Sequence, residues 1–327
     1  MSVRTSCGIN TGSIAALLLS GLVIGAPRLA HGQDSRLPQA EISRGINTGK
    51  GLAEEARRAD LKTYNDKTYR GTAGALIAEG DSWFDYPRAD VLKMLQRKFD
   101  YQVFSAAHKG DALEDMAYNI DQLTEVAGVF KSLHDRKIMP KAILISGGGN
   151  DIAGPELSVM LNHIRSGLQN PDAIVVREVI THRLQLALIT WIGAVDQLST
   201  DNFGKKVPVL IHGYDYPVPD GRGFLGGFWF MPGPWLKPSF DLKGYGSTPA
   251  DLDPRIKVMK SLIDEFNAML ISITKIEGFE HVHYVKIVGQ LSNDPKTYEN
   301  DWGNELHPTP LGFEKVATQF QEILSKL

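Results

Sequence analysis

From residue 75 to the C terminus, short apolar runs alternate with segments whose apolar residues recur at helical spacing. That alternation restricts the fold more than any other feature of the chain. The runs at 75–78, 101–105, 142–146, 207–212 and 281–288 suit strands. Between them, Val91, Leu92, Leu95 and Phe99 share one helical face, and a long helical stretch begins at Asp111. Helices also fall between about 155 and 200 and over about 252–277, and a last one carries Phe313, Val316, Phe320 and Leu324. Near-continuous apolar strands separated by helices predict an α/β protein: a doubly wound, mostly parallel five-stranded sheet in a three-layer, flavodoxin-like α/β/α arrangement.

In such a sheet, function gathers where the loops leave the carboxyl ends of the strands. The first strand ends in Gly80-Asp81-Ser82, the second in Ala106-Ala107-His108-Lys109-Gly110, and the third in Gly147-Gly148-Gly149-Asn150-Asp151. The fourth ends in Gly213-Tyr214-Asp215-Tyr216, and the fifth leads on to Asn304-Glu305-Leu306-His307-Pro308. Gly-Asp-Ser by itself reads first as a turn and only second as a nucleophile site, because all three residues favour tight turns. As a site, Ser82 sits at a strand-to-helix junction where backbone N–H groups face a developing oxyanion. His307 supplies the base that a serine hydroxyl needs near neutral pH, or else it only packs beside the last helix. Asn150 can donate its amide to the oxyanion with the Ser82 and Gly110 N–H groups, while Asn150-Asp151 equally suits a cap on the following helix.

These four blocks together resemble the SGNH, or GDSL-like, hydrolase family, over roughly residues 75–327. The resemblance implies Ser82 as nucleophile, Gly110 and Asn150 as oxyanion donors with the Ser82 N–H, and His307 as base. It further implies hydrolysis of a carboxylic ester with no cofactor and no metal. The chain departs from the family at one point: an aspartate usually stands three residues before the histidine, and Asn304 occupies that position. An asparagine oxygen can orient the imidazole without supplying charge. Asn304 is the first candidate by position, followed by Asp301 and Glu305; a backbone carbonyl or an unassisted Ser-His dyad would also serve.

The substrate class stays open between small-molecule, lipid and polysaccharide esters. The same site also suits a carbohydrate O-acetyl esterase, an acyltransferase, or a carbohydrate-binding protein that has lost catalysis on this scaffold. The irregular segment at 220–245 packs Phe224, Phe228, Trp229, Phe230, Met231 and Trp235 between glycines and prolines. It reads as a lid or substrate wall, or as a plug or subunit contact. Candidate substrate contacts are Trp83, Tyr214, Asp215 and Trp229. Trp83, Phe84 and Tyr86 follow a buried strand and suit the core equally well. His281 and His283 alternate on one strand face, and no metal site is expected there.

Residues 1–32 read as an export signal: Arg4, then an apolar run at 14–24, then Ala30-His31-Gly32 before Gln33. The expected location is therefore secreted or periplasmic, with no stable membrane span after cleavage. Removing these residues takes Arg4, Arg28 and no acid, leaving 33 basic against 38 acidic residues, a net charge of −5. That balance, with no basic stripe, excludes nucleic acid as a partner. The single cysteine, Cys7, would leave with the signal, so stability has to come from the core rather than from disulfides. Residues 33–73 are polar with little apolar periodicity and are expected to form an arm or linker ahead of a hydrolase domain at 74–327.

Overall fold

The computed structural model describes residues 37–59, 61, 70–224 and 232–327. The export signal expected at 1–32 and the proposed substrate contact Trp229 lie outside these residues. In chain order the elements are α1 (Gln39–Arg58), β1 (Ala75–Gly80), α2 (Val91–Phe99), β2 (Gln102–Ser105), α3 (Leu113–Tyr118) and α4 (Ile120–Asp135). There follow β3 (Pro140–Ser146), α5 (Gly149–Ile152), α6 (Pro155–Met160), α7 (Ala173–Val176) and α8 (Gln185–Phe203), with a π-helical stretch at Arg177–Leu184. The chain ends with β4 (Val209–His212), α9 (Lys237–Leu242), α10 (Leu252–Ile273), β5 (Val282–Val285) and α11 (Pro310–Leu324).

The strands pair in the order β2-β1-β3-β4-β5, and every pairing is parallel. Right-handed crossovers put the connection that moves one way from β1 on one face and those that move the other way on the opposite face. Accordingly α2 packs with α11, while α8 packs with α4 and α10. β1 is buried along its whole length, as a strand covered on both sides must be. All five βα or strand-end loops that carry the sequence motifs therefore emerge at one edge of the sheet.

The expected polar arm at 33–73 contains a 20-residue helix instead. α1 lies against α8 and α4, burying Ile42, Gly45, Gly49, Ala53 and Ala56. These residues recur at helical spacing, but most are glycine or alanine, so hydrophobic periodicity does not reveal them. Their use is close approach. A Cβ placed on Gly49 would sit 2.0 Å from the Thr190 carbonyl oxygen and 2.8 Å from the Ala194 nitrogen, both backbone atoms of α8. Gly193 on α8 meets the backbone of Ile46 in the same way. A Gly49→Val substitution should push the two helices apart and lower the melting temperature by roughly 5–10 °C, read by thermal denaturation.

The expected long helix from Asp111 is broken at Asn119, whose side chain accepts from the Asp121 N–H at 2.9 Å and caps α4. Among the described residues, no helix is long and apolar enough to cross a membrane.

Candidate active site

Ser82 follows β1 in a single tight turn, in which the Phe84 and Asp85 N–H groups donate to the Asp81 carbonyl at 3.0 and 3.1 Å. It is not at a helix N-terminus as the sequence suggests; α2 begins only at Val91. The turn is held by Asp81, which is buried. Its Oδ1 accepts from the Trp83 N–H at 2.9 Å and from Ser146 Oγ at 2.6 Å, and its Oδ2 from Tyr214 Oη at 2.5 Å. Both oxygens of this buried carboxylate thus meet donors, which offsets the main cost of burying it.

His307 comes from the other end of the chain, on the loop before α11. That loop closes on itself through the Gly303 N–H donating to the His307 carbonyl at 2.8 Å. The indole of Trp83 ties it to the serine turn by donating to the Leu306 carbonyl at 3.0 Å. In this frame His307 Nε2 lies 2.8 Å from Ser82 Oγ, and Nδ1 lies 3.0 Å from Asn304 Oδ1. Asn304 Oδ1 also accepts the Leu306 and His307 N–H groups, each at 2.9 Å. That oxygen is fixed as an acceptor, so Nδ1 carries the hydrogen and Nε2 is left with the lone pair facing the serine.

Of the three orienting groups weighed from sequence, only Asn304 reaches the imidazole. Asp301 is bound to Lys315 Nζ and to the Ser292 N–H. Glu305 is fully buried and accepts four backbone N–H groups, from Gly221, Trp235, Leu236 and Lys237, at 2.7–3.0 Å. It pins both ends of the aromatic segment to the histidine loop, while burial pushes its own pKa up against those hydrogen bonds. Glu305→Ala would leave four amides without their acceptor. It should cost on the order of 3–5 kcal/mol and unfold the site cooperatively, whereas Glu305→Gln, which keeps one carbonyl oxygen, should fall between; chemical denaturation distinguishes them.

The three oxyanion candidates, Ser82, Gly110 and Asn150, lie on separate loops, and Ser82 and Asn150 line one recess. Among the described residues, neither the Ser82 N–H nor the Gly110 N–H donates to a protein acceptor. Gly110 has φ +95°, a conformation that a side chain would strain. Asn150, at the start of α5, uses one amide hydrogen on the Asp111 carbonyl at 2.8 Å, which leaves the other. Asp151 does not cap its own helix. Its carboxylate accepts the Leu113 and Glu114 N–H groups and so caps α3, and burial raises its pKa to about 6.

Three of the four proposed substrate contacts have other partners. Asp215 is fully buried, and its oxygens accept the Tyr216, Gly289 and Leu291 N–H groups, so it shapes the loop beyond β5. Tyr214 spends its hydroxyl on Asp81 and accepts the Gly149 N–H at 3.1 Å; burial, with Asp81 beside it, pushes its pKa far up. Trp83 is core, packed edge-on against Tyr214 and Phe313. They line the site without offering it hydrogen bonds. His281 Nε2 bonds to Asp196 Oδ1 at 2.6 Å, a carboxylate distant in sequence, on α8.

A recess of about 40 Å³ opens beside Ser82 and Asn150, walled by Ile152, Leu236, Met259 and Ile263. On the other side of the imidazole, Tyr86 stacks on His307 with centroids 4.2 Å apart and planes at 19°, and Trp235 meets the ring edge-on at 5.4 Å. Trp235 is a neighbour the sequence could not assign, because its segment has no period. With no carboxylate beside it, burial alone lowers the His307 pKa to about 3.

No protein-family model matches the chain. No curated protein sequence matches it either. Solved structures similar in outline include a lipase from a goat rumen metagenome, at 14% identity and a TM-score of 0.46, over 76% of this chain and 96% of that one. An acetylxylan esterase from Geobacillus stearothermophilus, crystallised as a catalytic mutant, aligns at 14% identity and a TM-score of 0.40, over 78% and 95%. An extracellular lipase from Streptomyces rimosus aligns at 15% and 0.42, over 76% and 99%. Likeness this slight transfers no residue and no substrate to this chain.

Proposed function

We propose that this chain is a serine ester hydrolase of the SGNH type, with Ser82 as nucleophile and His307 as base. The observation that carries the reading is the relay from Ser82 Oγ to His307 Nε2 at 2.8 Å and from His307 Nδ1 to Asn304 Oδ1 at 3.0 Å. Serine and histidine lie 225 residues apart in sequence and share no structural need for each other. The Ser82 proton passes to Nε2 as Oγ attacks the ester carbonyl carbon. The oxyanion is held by the Ser82 and Gly110 N–H groups and by Asn150. The imidazolium returns its proton to the leaving alcohol, and a water activated by the same nitrogen releases the acid.

The recess of about 40 Å³ beside Ser82 and Asn150 favours a short acyl group: it admits about three waters at roughly 10–15 Å³ each. Its apolar walls suit the methyl end of such a group. Trp235 packs against His307 and Phe224 against Tyr86, and this aromatic surface suits a sugar or aryl leaving group. Arg4, the apolar run at 14–24 and Ala30-His31-Gly32 support export of the enzyme.

The test is hydrolysis of p-nitrophenyl acetate, butyrate and octanoate, with Ser82 followed by mass spectrometry after fluorophosphonate labelling. Stoichiometric labelling at Ser82 and a kcat/KM for acetate roughly tenfold or more above that for octanoate are expected. Labelling elsewhere, or none, would reject the reading.

A further inference from the structure

The aspartate that would stabilise a protonated His307 is replaced by Asn304, and among the described residues no carboxylate takes its place. Asp81 is bound to Ser146, Trp83 and Tyr214, Asp301 to Lys315, and Glu305 to four backbone amides. The groups that do face the imidazole are Ser82, Asn304, Trp235 and Tyr86. None carries charge at neutral pH, yet the reaction requires a cation on this buried ring.

We propose that the ring face of Tyr86 stabilises the His307 imidazolium in place of the absent carboxylate, and that its hydroxyl steadies the Asn304 amide that orients the same imidazole. The geometry is that of a cation over a π face: centroids 4.2 Å apart, nearly parallel planes, well inside the roughly 6 Å over which the ring quadrupole attracts a cation. Tyr86 Oη accepts from Asn304 Nδ2 at 3.0 Å. Donation from Nδ2 polarises the amide and makes its oxygen a better acceptor for the Nδ1 hydrogen. Tyr86 is itself held in place. Phe224 packs edge-on to it at 5.8 Å, Phe313 lies at 5.9 Å, its N–H donates to Asp90, and its carbonyl accepts from Lys93 Nζ. An asparagine with a stacked tyrosine thus divides between two side chains what one aspartate does alone. Tyr86 is a positioning residue, acting through His307 and not on the substrate.

The assignment rests on the Ser82–His307 reading, and the experiment separates the two. The rate of fluorophosphonate labelling of Ser82, and kcat and KM on p-nitrophenyl acetate, are measured for the wild type and for Tyr86→Leu, Tyr86→Phe and Tyr86→Trp. Thermal melts confirm that each variant is folded. Leucine keeps apolar cover over the imidazole but has no π face. It should lower kcat and the labelling rate roughly 3- to 30-fold with KM changed less than about twofold. Phenylalanine gives up only the hydroxyl and should lose about threefold or less, and tryptophan should recover rate over leucine. Folded variants in which leucine reacts as fast as phenylalanine would overturn the role of the ring while leaving the hydrolase reading intact. Failure of wild-type Ser82 to label would overturn both.

Discussion

Ser82→Ala is expected to reduce ester hydrolysis by roughly 10⁴- to 10⁶-fold in kcat while leaving the fold and the melting temperature nearly unchanged. The magnitude follows from the arrangement. Among the described residues Ser82 Oγ has one side-chain partner, His307 Nε2, and the turn that carries it is held by Asp81 and not by the hydroxyl. Deleting the hydroxyl therefore removes the nucleophile without removing structural support. His307→Ala should cost nearly as much and should not add to the loss in the double variant, because the pair works as one unit. Asn150→Ala should fall below both, at roughly 10²–10³, since two backbone donors remain for the oxyanion. Kinetics on p-nitrophenyl acetate at matched protein concentration check all three. A Ser82→Ala protein that kept its rate would remove the mechanism.

The pH dependence should depart from that of a hydrolase with a full triad. Catalysis needs His307 neutral, and burial without a partnering charge depresses its pKa to about 3. A depressed histidine is already deprotonated through the mildly acidic range, so kcat/KM should stay flat from about pH 8 to below pH 5. Activity is then lost on the acid side only well below the ordinary histidine value. Asn304→Asp would put a negative charge about 3.0 Å from Nδ1. An opposite charge at that range favours the cation and raises a pKa by roughly 1–3 units. The acid limb of kcat/KM should therefore move up by that amount, and kcat on its plateau should rise, since the imidazolium of the transition state gains a counter-charge. Parallel pH–rate profiles of the two proteins decide it. An acid limb near pH 6–7 in the wild type, the ordinary histidine range, would mean that burial does not depress the His307 pKa.

The sheet and the candidate Ser82–His307 pair were legible in the sequence for a simple reason: both are marked by local chemistry at strand ends and loops. Apolar runs bounded by Gly-Asp-Ser and Gly-Gly-Asn-Asp can be read without knowing what packs on them, and parallel pairing follows from their alternation with helices, while the order β2-β1-β3-β4-β5 is seen only in the structure. α1 was not legible, because Gly45, Gly49, Ala53 and Ala56 bury almost no apolar area and act only through the closeness they allow.

Ser82, Gly110, Asn150 and His307 were fixed as candidates by their own chemistry and their loops. What each of the remaining polar groups does was decided by the tertiary structure, because identity does not tell a carboxylate which donors it will meet. Asp301, Asn304 and Glu305 stand within five residues of one another, yet one meets a lysine, one the imidazole and one four amides from the aromatic segment. Asp215 and Tyr214 sit at the expected rim but spend their polar atoms on the scaffold. Tyr86 reaches the site because the turn after Ser82 lays its ring flat on an imidazole more than two hundred residues away. Such partnerships form only when distant segments are brought within hydrogen-bond or ring-contact distance.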